Sequence, residues 1–380
     1  MHLPPVHRSA APAAAAAESD VAAPVSAPPV SRPVSRPVSR PVSRPVSRRS
    51  ALAGGLAGVL GITATACGDG SADGSGAGGA AAAEGFPLEL SNCEATLTFE
   101  APPERIVLLE SAPVTTLDGI GVLDKVVARA GAFPPGYYSE DLDTRVEMIE
   151  TLSDDLDASG HLQISQEVVI AQSPDIVFGL PNGVTREALA DAGAQVMVQD
   201  IYCSTEDDRA SFETLYSTIS TYGRIFDRTQ QAEDLITTLK DRVATVSDSA
   251  EDLTITTAAV LYPSLGGGPL YTYGAGSMVT AQLDALGIEN VFADTAERVF
   301  EISSEPLLAA DPDVLIVLYQ GEGDGSDVAD EMVGQDQLAG LRAVQGDAAL
   351  PLLFNFAEPA SPLVVDGLER IHEWLLDIEG

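Results

Sequence analysis

The sequence predicts an α/β protein of two lobes, each built on a parallel sheet and joined by one long rigid helix. Three features predict it. Short β-branched runs alternate with helical ones in both halves of the chain, the pattern of strand-helix-strand units whose sheets are covered on both faces. Between the halves, residues 207–250 lack proline and repeat apolar residues at three and four spacing, as a long amphipathic helix does. Finally, ISQEVVIAQSPDIVFG (164–179) returns as ISSEPLLAADPDVLIV (302–317). A chain of 380 residues also exceeds the roughly 250–300 at which a single core stops growing.

The first 66 residues are excluded from the fold. PVSR occurs five times in tandem from Pro29 to Arg48, a composition with too little apolar surface for a core. Arg48 and Arg49 then precede a weakly hydrophobic Ala/Gly/Leu run, Ala51 to Ile62, which leads to ATAC ending at Cys67. This resembles a twin-arginine export signal joined to a lipoprotein cleavage site, with Ala64 where such sites usually carry Leu. The segment is expected to be cleaved, and Cys67 to be lipidated. Residues 67–85 have flexible linker composition. The alternative is an ordinary cleaved secretory signal with a coincidental cysteine.

Charge and composition exclude several classes. The full chain carries a formal charge of −37, and the portion from Cys67 onward has 13 basic against 55 acidic residues, a charge of −42. Such a surface repels phosphate backbones and anionic head groups, which argues against nucleic acid and against polybasic membrane docking. No run of eighteen strongly apolar residues is present to span a bilayer. Cys93 and Cys203 are the cysteines left after Cys67, and in an exported protein such a pair reads as a disulfide. It would close a loop of about 110 residues and add a few kcal/mol in the chain-entropy picture. Past the signal only His161 and His372 remain, without HxxxH or HExxH spacing, so a histidine-built zinc site is not expected. GxxxxGK[ST] and GxSxG are absent too, which disfavours a nucleotide-hydrolysing loop and a serine hydrolase.

Along the body, RIVLL (105–109) is a strand and SAPVTTLDGIG (111–121) a turn and helix; DKVVARAG (124–131) holds a second strand. A loop with Pro134, Pro135, Tyr137 and Tyr138 follows. Ser165 caps a helix to about Gln172, Pro174 ends it, and DIVF (175–178) is a buried strand. Helix 186–192 and strand 195–199 complete a first lobe, 86–206. The long helix, 207–250, has one gap at Gly223. In the second lobe, 251–380, come strand 256–262, the Gly-rich turn SLGGGPLYTYGAGS, helix 278–286, the second copy of the repeat and strand 313–318. His372, in the closing helix ERIHEWLL, reads as an exposed position.

Five segments carry a resemblance: APPERIVLLESAPVTTLDGIGVLDKVVA, ISQEVVIAQSPDIVFG, REALADAGAQVMVQD, LYTYGAGSMVTAQLDALGIENVFAD and ISSEPLLAADPDVLIVL. Their order is similar to that in substrate-binding proteins of ABC importers, the group that captures ferric siderophores, cobalamin and haem. The similarity runs from about Phe86 to Leu376. It implies the class III periplasmic-binding-protein fold, two Rossmann-like lobes around a ligand cleft. It also implies an exported, monomeric, non-enzymatic lipoprotein that needs no cofactor, holds an iron chelate without direct metal ligands, and delivers it to a dimeric permease with its ATPase. Cobalamin or haem is the alternative cargo. An exported hydrolase is a reading from a different class.

By the same resemblance Glu167 and Glu305, one per lobe and at equal offsets from Pro-Asp, match the glutamates that meet permease arginines. Capping alone explains each copy, because a helix N-terminus favours an acidic residue; it does not explain why both lobes keep it. Parallel sheets present ligands at strand C-terminal ends. That rule selects loops containing Glu110 and Ser111, Arg129 to Tyr138, Leu180 to Gly183, Tyr262 to Gly276, Arg298, Tyr319 and Asn355 to Glu358. The predicted cleft residues are Ser111, Arg129, Phe133, Tyr137, Tyr138, His161, Leu180, Asn182, Tyr262, Tyr271, Tyr273, Arg298 and Tyr319. The aromatic positions of the cobalamin binder fall near Phe133 and at His161, Leu180, Tyr271 and Val299, so most of that aromatic character is missing here.

Overall fold

Residues 85–157, 160–203, 209–263, 269–321 and 323–380 are described by a computed structural model. The PVSR tract, the twin-arginine segment, Cys67 and the linker through residue 84 lie outside the described residues, as do 264–268 within the Gly-rich turn.

The first lobe opens with an antiparallel hairpin, β1 (Leu88–Asn92) and β2 (Ala95–Phe99). Next come β3 (Ile106–Leu108), α1 (Pro113–Gly119), β4 (Val126–Ala130), α2 (Glu140–Glu147), β5 (Glu150–Ser153), α3 (Gln166–Ile170), β6 (Ile176–Phe178), α4 (Arg186–Asp191) and β7 (Gln195–Met197). Strands β3 to β7 form one parallel sheet in the order β5-β4-β3-β6-β7. Every residue of β3 and β6 is wholly buried, as the unbroken apolar runs IVL and IVF require when helices cover both faces. Because the chain leaves β3 toward one edge and later returns to the other, β3 and β6 flank a topological switch point.

The repeated Pro-Asp does the same work in each lobe. Asp175, just before β6, accepts the backbone N–H groups of Glu104 and Arg105 ahead of β3, at 2.8 and 2.9 Å. Asp313 accepts those of Thr256 and Thr257 at 3.0 and 2.9 Å. Each carboxylate thereby ties the starts of two neighbouring parallel strands. Burial raises the Asp313 carboxyl, but its backbone and hydroxyl donors outweigh that and leave it below the usual range.

The single helix expected over 207–250 is two helices, α5 (Phe212–Ile225) and α6 (Thr229–Ser249). Asp227 breaks them in left-handed conformation, φ 53°. Two local reasons decide it. Phe226 is fully buried and stacks on Phe178 at 6.4 Å, so α5 ends in the first lobe's core rather than continuing into solvent. Gly223 then lets α6 fold back against it, since a Cβ there would stand 2.5 Å from that of Ala232. Ala210 donates its N–H to Ala275 O, so α5 starts at the second lobe, and α6 returns there, burying Val246 and Ala250. α6 is therefore the helix that crosses from one lobe to the other.

The second lobe contains β8 (Thr257–Pro263), β9 (Leu270–Tyr273), α7 (Met278–Ala285), β10 (Glu289–Asn290), β11 (Val299–Ile302), α8 (Ser304–Ala310), β12 (Val314–Tyr319), α9 (Ser326–Val333), α10 (Arg342–Gln345), β13 (Ala349–Leu353) and α11 (Leu363–Glu379). Its sheet runs β11-β9-β8-β12-β13, with β10 also on β8. Strands β8, β10, β12 and β13 pair in parallel, whereas β9 is antiparallel to both β8 and β11. This edge departs from the expected all-parallel sheet because the short 264–269 connection cannot make the dozen-residue crossover that parallel pairing needs. His372 is 7% exposed, on the buried side of α11 rather than the surface.

Both lobes belong to one compact unit. Met278 and Ala281 of α7 and Val364 and Val365 of α11 share a buried cluster with Leu117 and Ile219, so one apolar seam runs through both lobes. Arg242 of α6 fastens α11 by hydrogen bonds of 2.6 Å to Asp366 and Glu369. No helix among the described residues is long and apolar enough to cross a membrane. The Cys93 and Cys203 sulfurs are 2.07 Å apart. Beside them Asn92 binds the strand end after β7 through Val198 O and N, at 2.7 and 2.8 Å.

The tight α5–α6 crossing gives a stability prediction. Gly223→Leu should cost about 1–3 kcal/mol by overpacking, read as a lower urea midpoint, while Gly340→Ala, at an exposed site whose added Cβ would make only an ordinary contact of 3.5 Å with Leu308, should cost less.

Candidate functional site

A cavity of about 710 Å³ opens between the lobes. The first lobe contributes the C-terminal ends of β3, β4 and β6, through Glu110, Ser111, Gly131, Gly179 and Leu180. The second contributes the ends of β12 and β13, through Gln320, Gly321, Phe354 and Asn355. Gly179 is needed at its position: its φ is +96°, and even without a side chain the site of a Cβ lies 3.3 Å from that of Leu109.

The lobes are pinned together at the floor. Asn355 donates its backbone N–H to the Tyr137 hydroxyl at 3.0 Å and its side-chain amide to Ser111 Oγ at 2.9 Å. The Tyr137 ring meets Phe356 edge-on at 5.6 Å, and Tyr138 donates to Ser111 O at 3.3 Å. Ser111, Tyr137 and Asn355 are buried, so each hydrogen bond between them is one whose loss would strand a polar atom. The floor is therefore fixed rather than adaptable.

Two carboxyl groups sit in or beside it, Glu110 half-buried and Glu358 fully buried. Glu110 faces the cavity and accepts from Gln199 Nε2 at 3.3 Å; burial pushes its carboxyl up to about 7, and the Gln199 bond offsets only part of that. Glu358 is wholly buried and caps α7, accepting from Ser277 Oγ and Met278 N. Arg298 stands 3.7 Å from it and lies over the Tyr202 ring at 5.1 Å. Burial again dominates and raises Glu358 to about 7, against the lowering pull of Arg298. Exposed apolar side chains, Leu156 and Leu180, line the cavity walls. Among the described residues no group of His, Cys, Asp and Glu is arranged to hold a metal ion.

Five of the predicted cleft residues line this cavity together: Ser111, Tyr137, His161, Leu180 and Asn182. His161 is exposed, with Nδ1 3.5 Å from Asp157. The others are held elsewhere. Arg129 lies over Phe133 at 4.9 Å, and Arg298 stands beside Glu358, outside the cavity lining. Tyr273 points into the second lobe's core at 3% exposure. Tyr319 turns onto its own loop, donating to Gly323 O. Tyr262 and Tyr271 pair across β8 and β9, beside the undescribed 264–268. Tyr202 and Leu156 do line the cavity, although neither stands out in the sequence. The strand-end rule, applied to β7 as to its neighbours, would have found Tyr202; Leu156 lies in an irregular stretch with no pattern to mark it.

Glu167 and Glu305 are exposed, one on each lobe, in the first turns of α3 and α8. The expected cap does not form: neither Ser165 nor Ser303 bonds the helix backbone. Each serine instead serves its glutamate, Ser303 Oγ donating to Glu305 at 2.8 Å. Glu167 bonds its own N–H and then Ser165, and both hold its carboxyl below the usual range. A neighbouring serine thus orients the carboxylate in both lobes.

The family described as periplasmic binding protein matches residues 106–347. A crystal structure of an ABC-type Fe3+-hydroxamate transport system from Saccharomonospora viridis is 51% identical, with a TM-score of 0.71, over 76% of this chain and 99% of that one. The periplasmic vitamin B12-binding protein of Vibrio cholerae is similar in fold at 18% identity and TM-score 0.53, covering 73% and 98%. A cobalamin-binding protein of Halobacterium salinarum is 29% identical over 62% of this chain; this chain spans 60% of that curated relative's length. The chain belongs to the periplasmic binding protein family.

The raised carboxyls set a pH dependence. Folded Glu110 and Glu358 keep protons to about pH 7 that the unfolded chain has released near 4.5, so the folded state binds more protons in that window. Stability should therefore fall as pH rises from about 4.5 to 7, each tenfold difference in proton affinity between the two states being worth roughly 1.4 kcal/mol. Urea melts of the ligand-free protein at pH 5 and pH 8 measure this, and Glu358→Gln should remove a large share of the loss. A flat profile would mean that both groups reach water when ionised.

Proposed function

We propose that the chain is the extracytoplasmic binding component of an ABC importer, which captures a ferric hydroxamate siderophore in the interlobe cleft and hands it to a dimeric permease. The observation that carries this reading is the 51% identity, over 99% of its length, to a structure described as an Fe3+-hydroxamate transport system. The cleft chemistry supports it. A hydroxamate chelate already saturates its iron, so it asks the protein for shape, apolar contact and scattered hydrogen bonds rather than metal ligands. Leu156 and Leu180 supply apolar contact, and Ser111, Tyr137 and Asn355 supply polar tips at the floor.

Export follows the same reading: the twin-arginine segment carries the chain out, Cys67 takes the lipid that tethers it, and Cys93 and Cys203 oxidise to a disulfide outside the cytoplasm. The protein acts as a receptor, not an enzyme, with no cofactor of its own. Haem is the second reading, favoured by His161 on the cavity wall, where an imidazole could reach an axial position. Calorimetric titration with a ferric trihydroxamate, a ferric catecholate, haem and cobalamin separates these. Saturable binding of the hydroxamate complex, and none of its iron-free form, is expected; binding of haem alone would move the assignment.

Glu167 and Glu305 act as the two permease contacts. Oriented rim carboxylates of this kind serve association rate and register more than affinity. The double reversal Glu167→Lys with Glu305→Lys should leave chelate binding within about twofold and lower uptake by cells by about tenfold or more, the rim pairs acting on docking. Undiminished uptake by that variant would remove the docking role.

A further inference from the structure

We propose that Glu110 makes the cleft selective for iron chelates carrying a pendant cationic arm, with an alkylammonium seated against its carboxylate. The inference rests on the chelate-receptor reading and names the subclass of ligand that the cleft prefers.

Glu110 follows β3, the central strand of its sheet, and faces the cavity at the switch point where such sheets bind ligands. No cation pairs with it among the described residues. Arg186, on the cavity wall, donates instead to Val196 O and Asn92 Oδ1. Arg298 stands 3.7 Å from Glu358 and over the Tyr202 ring, Arg129 lies over the Phe133 ring, and neither forms an ion pair with Glu110. Among the described residues Glu110 accepts its one hydrogen bond from Gln199 at 3.3 Å, and Gln199 also donates to the Tyr222 hydroxyl at 3.1 Å. A half-buried acid with a neutral donor and no cation beside it is costly to ionise. A cation delivered by the ligand supplies the missing partner. The rim agrees with such a ligand: Leu156 and Leu180 offer apolar contact to methylene spacers, and the formal charge of −37 draws cations toward the cleft.

The preference should depend on pH. The groups around Glu110 are Gln199 and Tyr202 after β7, Tyr222 of α5, and Asp200, with the Arg298–Glu358 pair behind Tyr202 and His161 and Arg186 on the cavity wall. Burial drives Tyr222 well above its ordinary range, and the exposed Tyr202 is a phenol that stays neutral between pH 6 and 8. With the empty-site Glu110 near 7, an ammonium ligand binds more tightly as pH rises from about 6 to 8 and the carboxyl ionises.

The test uses a linear ferric trihydroxamate with a free terminal amine and its N-acetylated counterpart, titrated calorimetrically at pH 6 and pH 8. The amine form should bind about tenfold more tightly at pH 8, the scale of one charge-assisted contact, and the gap should narrow at pH 6. Glu110→Gln, with folding checked by circular dichroism, should bring the two affinities together at both pH values. Equal binding of the two chelates by the natural chain, or a preference that survives in Glu110→Gln, overturns the inference while leaving the hydroxamate reading standing. If neither chelate binds and haem or cobalamin does, both fall.

Discussion

The geometry of the cleft depends on the apolar seam that passes from one lobe into the other. Residues of α7 and α11 pack into the same buried cluster as α1 and α5, and the Tyr137 and Ser111 hydroxyls receive the Asn355 donors across the floor. Buried hydrogen bonds of this sort are costly to leave unmade, and close-packed cores transmit strain instead of absorbing it. The two lobes therefore meet at one fixed distance. The cavity is what remains between sheets held that far apart.

The duplicated segment is two devices superposed. Pro-Asp is architectural: Asp175 and Asp313 collect backbone N–H groups at the start of adjacent parallel strands, fixing register where the sheets begin. Ser-x-Glu is directed outward, with the serine steadying an exposed carboxylate. A helix cap would have used the serine on the backbone. That both lobes use it on the glutamate separates the two roles within one short segment.

Much of the cleft was legible because strand ends are legible. Short β-branched runs locate the sheets, parallel sheets bind at their C-terminal ends, and that logic reaches Ser111, Leu180, Asn182 and Tyr137. It overreached where aromatic and cationic side chains were counted without their neighbours. Tyr273 lies on a strand face that turns inward, and Arg298 lies beside Glu358, far from it in sequence. A residue just beyond a strand can face the cavity, the core or its own turn, and only packing chooses.

The linear sequence determined the alternation of strands and helices, the twofold plan and the position of one glutamate on each lobe. All of these are local patterns or simple counts. Tertiary structure alone decided that the connecting helix folds back at Asp227, where Phe226 packs on Phe178, and that Glu110 faces a cavity with no cationic partner among the described residues. Each of those turns on which side chains meet across large sequence separations, and burial, crowding and charge compensation exist only once the chain has closed on itself.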